Sequence, residues 1–194
     1  QYGMTQEIVN SDHMKDHMKG QEDQVILPQS VIEMLYEMTK GDAIITTGVG
    51  QHQMWSGQWY KYKFPRQFIT SAGLGSMGYG FPSALGAKVA RPDKQVIDID
   101  GDGSFLMNIQ ELSTIKQYRL PVKAFILNNR YMGMVRQWQE LLHGGRYSES
   151  YMDSLPDFVK LAEAFGCVGL RATKPSELDD VIKEMISNGK PTIV

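Results

Sequence analysis

The sequence predicts an α/β domain built on an open, mostly parallel sheet with helices on both faces. Two observations carry that prediction. Apolar runs of strand length, Gln95 to Asp100 (QVIDID) and Val122 to Leu127 (VKAFIL), alternate with segments of helical period from Leu27 to the last residue. Strands separated by helices of this length imply crossover connections and a parallel sheet covered on both sides. In such a sheet ligands bind beyond the carboxyl ends of the strands, so the residues just after each strand are the candidates for a site.

In chain order, residues 1–24 are polar, rich in Met and poor in periodic apolar positions, which reads as a linker or surface arm ahead of a domain over 25–194. Within the arm His13 and His17 have the i, i+4 spacing of metal ligands on a helix face. No third ligand lies nearby, so MKDHMK reads as a solvated segment. Pro28 to Thr39 suits a helix with Val31, Met34, Leu35 and Met38 on one face, and Ala43 to Thr47 a short buried strand running into Gly48-Val-Gly50. Phe68 to Ser71 is a short strand, and Gly80 to Ala90 a helix in which Pro82 is tolerated because it falls in the first turn. After the strand Gln95 to Asp100, Asn108 to Tyr118 is a helix, with Asn108 and Glu111 spaced as a capping box. Val122 to Leu127 is a strand and Met132 to Leu142 a helix. Residues 143–155, with Gly144, Gly145 and several Ser and Tyr, read as a mobile loop. Asp157 to Phe165, Val168 to Ala172, Ser176 to Ser187 and Thr192 to Val194 then repeat helix and strand. A chain that starts at Gln1 and stops in the β-branched run Pro191-Thr-Ile-Val194 reads as a piece of a longer protein.

Composition narrows the function classes. The 194 residues fit one domain, and 42% hydrophobic residues suffice for a sizeable core. Twenty Lys and Arg against 22 Asp and Glu are interspersed, so no basic face invites nucleic acid or an anionic membrane. No apolar run approaches the roughly 18 residues of a membrane span. A lone cysteine, Cys167, excludes an intrachain disulfide and a thiolate metal cage, and fits a reducing compartment, cytoplasmic or organellar in a eukaryote.

The chemistry lies after the two clearest strands. Gly101-Asp102-Gly103-Ser104 follows QVIDID, and Asn128-Asn129 follows VKAFIL, with 24 residues between Gly103 and Asn128 for one helix and one strand. If those strands are neighbours, Asp102 and Asn129 stand side by side. A carboxylate and an amide oxygen are hard ligands, and two protein ligands plus a phosphate-bearing partner is the usual way magnesium is held. Gly101 and Gly103 let backbone approach a bulky anion, and the following helix offers free N–H groups to it. Each glycine or asparagine pair alone reads as a turn; together they read as a magnesium diphosphate clamp.

That pattern resembles the thiamine diphosphate fingerprint of pyruvate-decarboxylase-like enzymes. The words GVGQHQMW (Gly48 to Trp55), PRQFITSAGLGSMGYGFPSALGA (Pro65 to Ala87) and MGMVRQW (Met132 to Trp138) narrow the resemblance to the carboxyl-terminal domain of the catalytic subunit of acetohydroxyacid synthase, from about Leu27 to the end. The resemblance implies the thiamine diphosphate-binding fold and the condensation of pyruvate with a second 2-keto acid, pyruvate or 2-ketobutyrate, with loss of carbon dioxide, in branched-chain amino acid biosynthesis. It implies Asp102, Asn129 and the carbonyl of Tyr131 as magnesium ligands. It places Gln51, His52, Gly101, Gly103, Ser104 and the turn Met132, Gly133, Met134 around the diphosphate. Gly75 and Ser76 lie under the cofactor's pyrimidine, with the Gly75 carbonyl accepting a hydrogen bond, and Met77 wedges between the two rings. Trp138 borders the substrate channel and favours 2-ketobutyrate. The glutamate that activates the pyrimidine belongs to an amino-terminal domain of a partner subunit, and most of the FAD site to a middle domain. FAD reaches only the edge Ser71 to Gly73. The implied assembly is a homodimer or larger, with the active site between subunits and a small regulatory subunit as a further partner, and the 194 residues alone are expected to make no acetolactate.

Two other readings compete. One is another thiamine diphosphate enzyme, a decarboxylase, oxidase or carboligase, which would share the clamp. The other is a non-catalytic dinucleotide- or magnesium-binding regulatory module on Gly73-x-Gly75-x-x-Gly78. That motif needs a strand directly before it, a helix starting on it, and an acid roughly 20 residues on at the end of the second strand. Asp93 has the separation but precedes the strand.

Overall fold

Pro28 opens the first helix, since the first helical position needs no N–H and suits its fixed φ. The computed structural model describes residues 25–194; the arm over 1–24, with its His13 and His17 pair, lies outside the described residues. The elements are α1 (Pro28–Met38), β1 (Ile44–Thr47), α2 (Gln51–Trp59), β2 (Phe68–Thr70), α3 (Gly80–Ala90), β3 (Val96–Gly101), α4 (Asp102–Leu106), α5 (Glu111–Tyr118), β4 (Lys123–Leu127), α6 (Gly133–Leu142), α7 (Phe158–Ala164), β5 (Val168–Gly169), a 3-10 turn (Pro175–Glu177), α8 (Leu178–Ser187) and β6 (Thr192–Ile193).

The six strands form one sheet in the order β2-β1-β3-β4-β6-β5, every pairing parallel. The period-2 alternation of the strands divides the core in two. Ile44, Val96 and Ala124 face a cluster with Phe81 and Leu85 of α3, Phe105 of α4 and Leu112 and Ile115 of α5. Ile45, Ile97 and Phe125 face the other side, against Val31, Ile32 and Leu35 of α1 and Ile182 and Met185 of α8. The sheet is therefore covered on both faces, as the near-continuous apolar strands require. From β1 the chain steps to β2 on one side and from β3 to β4 on the other, so the strand order reverses between β1 and β3. A crevice at the carboxyl ends of those strands follows from the topology.

Three local expectations change. The capping box is not formed: α5 starts at Glu111, and Asn108 instead donates from Nδ2 to the Gly78 carbonyl at 2.7 Å. Asp102–Leu106 form the short α4, so β3 passes into a helix without a loop, and residues 107–110 turn the chain into α5. The strand expected over Val168 to Ala172 is only two residues long, because it lies at the sheet edge and its neighbour β6 is equally short. Residues 143–155 carry no helix, but an antiparallel bridge between Tyr131 and Tyr151 ties them to the segment after β4, with Met132 N–H donating to Ser150 O at 2.8 Å. Among the described residues no helix is long and apolar enough to cross a membrane.

Candidate functional site

Three strands deliver the site residues. β1 ends at Thr47, and Val49 to His52 follow it into the first turn of α2. β3 ends at Gly101 and passes directly into Asp102, while β4, its neighbour, ends at Leu127 opposite Gly101 and leads to Asn129. The register puts Asp102 and Asn129 on adjacent strand ends, as the spacing in the sequence required. All of these, with Trp55, Met77 and the turn Tyr131 to Val135, line one cavity of about 60 Å³ at the β1/β3 crevice.

Asp102 is the most constrained of the lining groups. It is 2% exposed, with Oδ1 accepting the Gly103 N–H at 2.8 Å and Oδ2 the Arg130 N–H at 2.6 Å. A carboxylate offers about four lone-pair sites, so each oxygen keeps one for a further partner. Burial raises the carboxyl above its usual range, and the N–H groups of Arg130 and Gly103 oppose that shift. To aim its N–H at Asp102, Arg130 adopts φ +62, a left-handed conformation uncommon outside glycine. Asn129 Oδ1 accepts the Tyr131 N–H at 3.0 Å, and no hydrogen bond among the described residues ends on the Tyr131 carbonyl. A carboxylate, an amide oxygen and a spare main-chain carbonyl thus converge, a set of hard oxygens suited to magnesium. Too few acidic or imidazole side chains gather there for a cage made by protein alone.

Around these oxygens the backbone is close and the side chains are braced. A Cβ on Gly133 would strike the Gln51 side chain, which in turn donates from Nε2 to Gln137 Oε1 at 2.9 Å. Ser104, buried, accepts the Gly78 N–H at 2.9 Å on its hydroxyl, so the loop Gly73 to Gly78 is pinned to α4 beside the cavity. Met77 lines the cavity. Gly75, at φ +66, and Ser76 lie exposed on the rim, with Val49 the nearest side chain to where a Gly75 Cβ would stand. Trp138 is 47% exposed on α6 and does not line the cavity.

Beneath the cavity lies a buried polar layer that the sequence reading did not single out. Asp98 and Asp100, i and i+2 on β3, are both fully buried. Thr46 Oγ1 donates to Asp98 Oδ1 at 3.0 Å, and burial, with Asp100 alongside, pushes the Asp98 carboxyl well above the usual range. Val49, Gly50, Trp55, Leu127 and Val135 also line the cavity without having been named from the sequence. The alternation of Asp with Ile in QVIDID was the available signal for the first two, because ionisable groups in a buried strand need a partner or a purpose.

The dinucleotide reading finds little here. β2 precedes Gly73, but α3 starts only at Gly80, after the last glycine of the motif. Asp93 stands before β3, exposed and engaged by Arg91 through two contacts of 2.9 and 2.7 Å.

Residues 48–194 match the family model for the thiamine pyrophosphate enzyme, C-terminal TPP binding domain. The acetolactate synthase isozyme 3 large subunit of Escherichia coli (strain K12) is 55% identical over 161 residues, 83% of this chain and 28% of that protein. The acetolactate synthase large subunit of Haemophilus influenzae is 52% identical over 163 residues, 84% and 28%. Acetolactate synthase 1, chloroplastic, of Zea mays is 49% identical over 176 residues, 87% and 28%. The chain spans a little over a quarter of the length of these curated relatives.

Proposed function

Since the chain belongs to the thiamine pyrophosphate enzymes, through their C-terminal TPP-binding domain, we propose that residues 25–194 are the diphosphate-holding half of an acetolactate synthase active site. The observation that carries the reading is the convergence of Asp102, Asn129 and the unused Tyr131 carbonyl on one cavity at the strand-order reversal. Those three are the proposed magnesium ligands, with phosphate oxygens and water completing the shell. Gln51, His52, Gly101, Gly103, Ser104 and Met132 to Met134 are proposed to enclose the diphosphate. Gly75, Ser76 and Met77 would meet the pyrimidine at the rim.

Bound there, thiamine diphosphate supplies the carbanion stabilisation that lets a 2-keto acid lose carbon dioxide. The chain's own part is to bind and orient. Asp102 fixes the cation, and the Arg130 and Gly103 N–H groups fix Asp102. Ser104, by holding Gly78, sets where Met77 and Gly75 meet the ring system. The Tyr131–Tyr151 bridge ties the 143–155 segment to the turn that lines the cavity, and Trp138, at the exposed face of α6, is the proposed border of the channel for the second keto acid, pyruvate or 2-ketobutyrate. A second contribution to the site belongs to the same reading: a partner subunit's amino-terminal domain, carrying the activating glutamate, would cover the remainder of the cofactor. FAD would lie mostly in a middle domain, and the working assembly would be a homodimer or larger, with a small regulatory subunit, in the cytoplasm or a eukaryotic organelle.

Isothermal calorimetry on the chain tests the cofactor, and a colorimetric acetoin assay tests the half-site. We expect thiamine diphosphate to bind only with magnesium, and pyruvate to give no acetolactate unless the complete enzyme is present. Tight magnesium-independent NAD binding would overturn the first expectation, and turnover by the chain alone the second.

A further inference from the structure

Asp100 has no part in the half-site described above, yet its surroundings are arranged around it. It is fully buried near the end of β3. Oδ1 accepts the Gly101 N–H at 2.9 Å and lies 3.1 Å from His52 Nε2. That contact is at ion-pair distance without the alignment of a hydrogen bond, and Nε2 has no other polar partner among the described residues. Among the described residues Asp100 is therefore the acceptor nearest to hand for that nitrogen.

The ring has little room to turn away. A Cβ on Gly50 would come within 2.8 Å of Cε1, and one on Gly101 within 2.9 Å of Nδ1. His52 thus occupies a slot whose walls are bare Cα atoms, and it is 7% exposed while lining the cavity. Gly48 extends the same arrangement, since a Cβ there would collide with the Asp100 carboxyl and the Ser104 hydroxyl. Gly101, read from sequence as clearance for an anion, is in the first instance clearance for an imidazole. An imidazole left to itself has two tautomers and two ring orientations. A carboxylate at one nitrogen selects one of each, and the other edge of the ring is then fixed as well.

We propose that Asp100 is a positioning residue, which holds the His52 ring so that its cavity-facing edge meets the diphosphate of the cofactor. This rests on the thiamine diphosphate reading above, and it assigns Gly50 and Gly101 the task of keeping the ring in its slot.

A double-mutant cycle in the complete enzyme tests it, read by calorimetry of thiamine diphosphate at saturating magnesium and by the split between the cofactor KM and kcat. D100A is expected to weaken cofactor binding about tenfold, with kcat at saturating cofactor largely retained. D100N, which keeps an oxygen in the same place, should recover most of the affinity. In an H52A background D100A should cause no additional loss, because a residue that acts through His52 has nothing left to act on. If D100A does not accumulate as folded protein, D100S takes its place: it keeps an acceptor for the Gly101 N–H but draws it away from the ring. Equal losses with and without His52, or no loss in the parent enzyme, would overturn the positioning role alone. A parent enzyme that fails to bind thiamine diphosphate with magnesium would overturn the cofactor reading, and the proposal with it.

Discussion

The two ends of the sheet bury polar groups in opposite ways. At the amino-terminal end Lys123, 1% exposed at the start of β4, donates to Asn188 Oδ1 at 2.6 Å, Lys190 O at 2.5 Å and Thr192 Oγ1 at 3.3 Å. Gln67, fully buried before β2, donates to the carbonyls of Gly41 and Ala43 and accepts the Lys63 N–H. Lys88 at the end of α3 is held by the Pro92 and Lys94 carbonyls. Toward the carboxyl end, by contrast, His52 Nε2, Asp98 Oδ2 and Asp100 Oδ2 have no hydrogen bond among the described residues, nor do Ser56 Oγ of α2 and Gln139 Oε1 of α6, two helices that also contribute to the cavity wall. Polar groups buried for structure are paired to completion, whereas several around the crevice keep open valences, so the imbalance points to the same end of the sheet as the cavity.

The sharpest way to break that comparison is to remove open valence without disturbing shape. D102N keeps the shape and one acceptor oxygen, for the N–H of Gly103 or of Arg130, turns an NH2 toward the other, and cannot neutralise a cation. Outer-shell changes at metal sites typically lower activity 10- to 100-fold, so loss of a direct ligand should lower kcat/KM of the complete enzyme by at least about a hundredfold. The melting temperature of the cofactor-free protein should change little, since relief of a carboxyl that burial pushes toward neutrality offsets the one acceptor lost. A D102N enzyme that loses stability and activity together would make Asp102 structural, like Lys123.

The same contrast explains what could be read from the sequence. The sheet, both core faces and the pairing of Asp102 with Asn129 followed from period-2 and period-3.6 patterns, because apolar burial imposes those periods on elements that carry no function. The helix α2 (Gln51–Trp59) was not foreseen, and its composition shows why: the residues it buries are His52 and Ser56, polar groups at i and i+4 that present no apolar stripe. Asp98 and Asp100 escaped notice because they sit inside a run that reads as a plain buried strand. The false capping box at Asn108 is partly of this kind: Oδ1, the atom that would cap, accepts Gln110 Nε2 at 2.8 Å, while Nδ2 holds the Gly78 loop beside the cavity. Local rules fail here mainly where residues serve the site.

At the other end, K123A should cost on the order of 2 kcal/mol in chemical denaturation. Thr192 Oγ1, which also donates to Lys190 O at 3.0 Å, limits the damage. Activity per folded molecule should be unchanged. Burial, with Lys88 as a lesser cause, lowers Lys123 to about 8, below the roughly 10.4 of an unfolded lysine. Between those two values the unfolded chain holds the extra proton, so stability rises with pH across that window and is flat below it. The advantage of the parent protein over K123A should therefore widen from about pH 8 to above pH 10, by on the order of 1–3 kcal/mol. A gap that narrows instead would mean the three acceptors outweigh burial.

The smallest effect separates position on the rim from membership of the site. Asp157 lies at the carboxyl end of the sheet, yet it is exposed and spent on structure: Oδ1 accepts the Val159 N–H at 3.0 Å, the Lys160 N–H at 3.3 Å and the Arg171 guanidinium at 2.6 Å, capping α7. The Lys160 N–H, then Arg171 and the Val159 N–H, hold its carboxyl below the usual range. If a place at the carboxyl end were enough to make a polar residue functional, D157A would weaken cofactor binding. Because Asp157 is satisfied by its own helix, affinity for thiamine diphosphate should be unchanged, and the melting temperature should drop by only about 2 °C, the scale of a lost cap in a domain of this size. The sign with pH follows from the lowered carboxyl. Its contribution is in full above the unfolded value near 3.9 and disappears as pH falls through the folded one, so the melting difference between parent and D157A should close under acid conditions and hold at neutral pH.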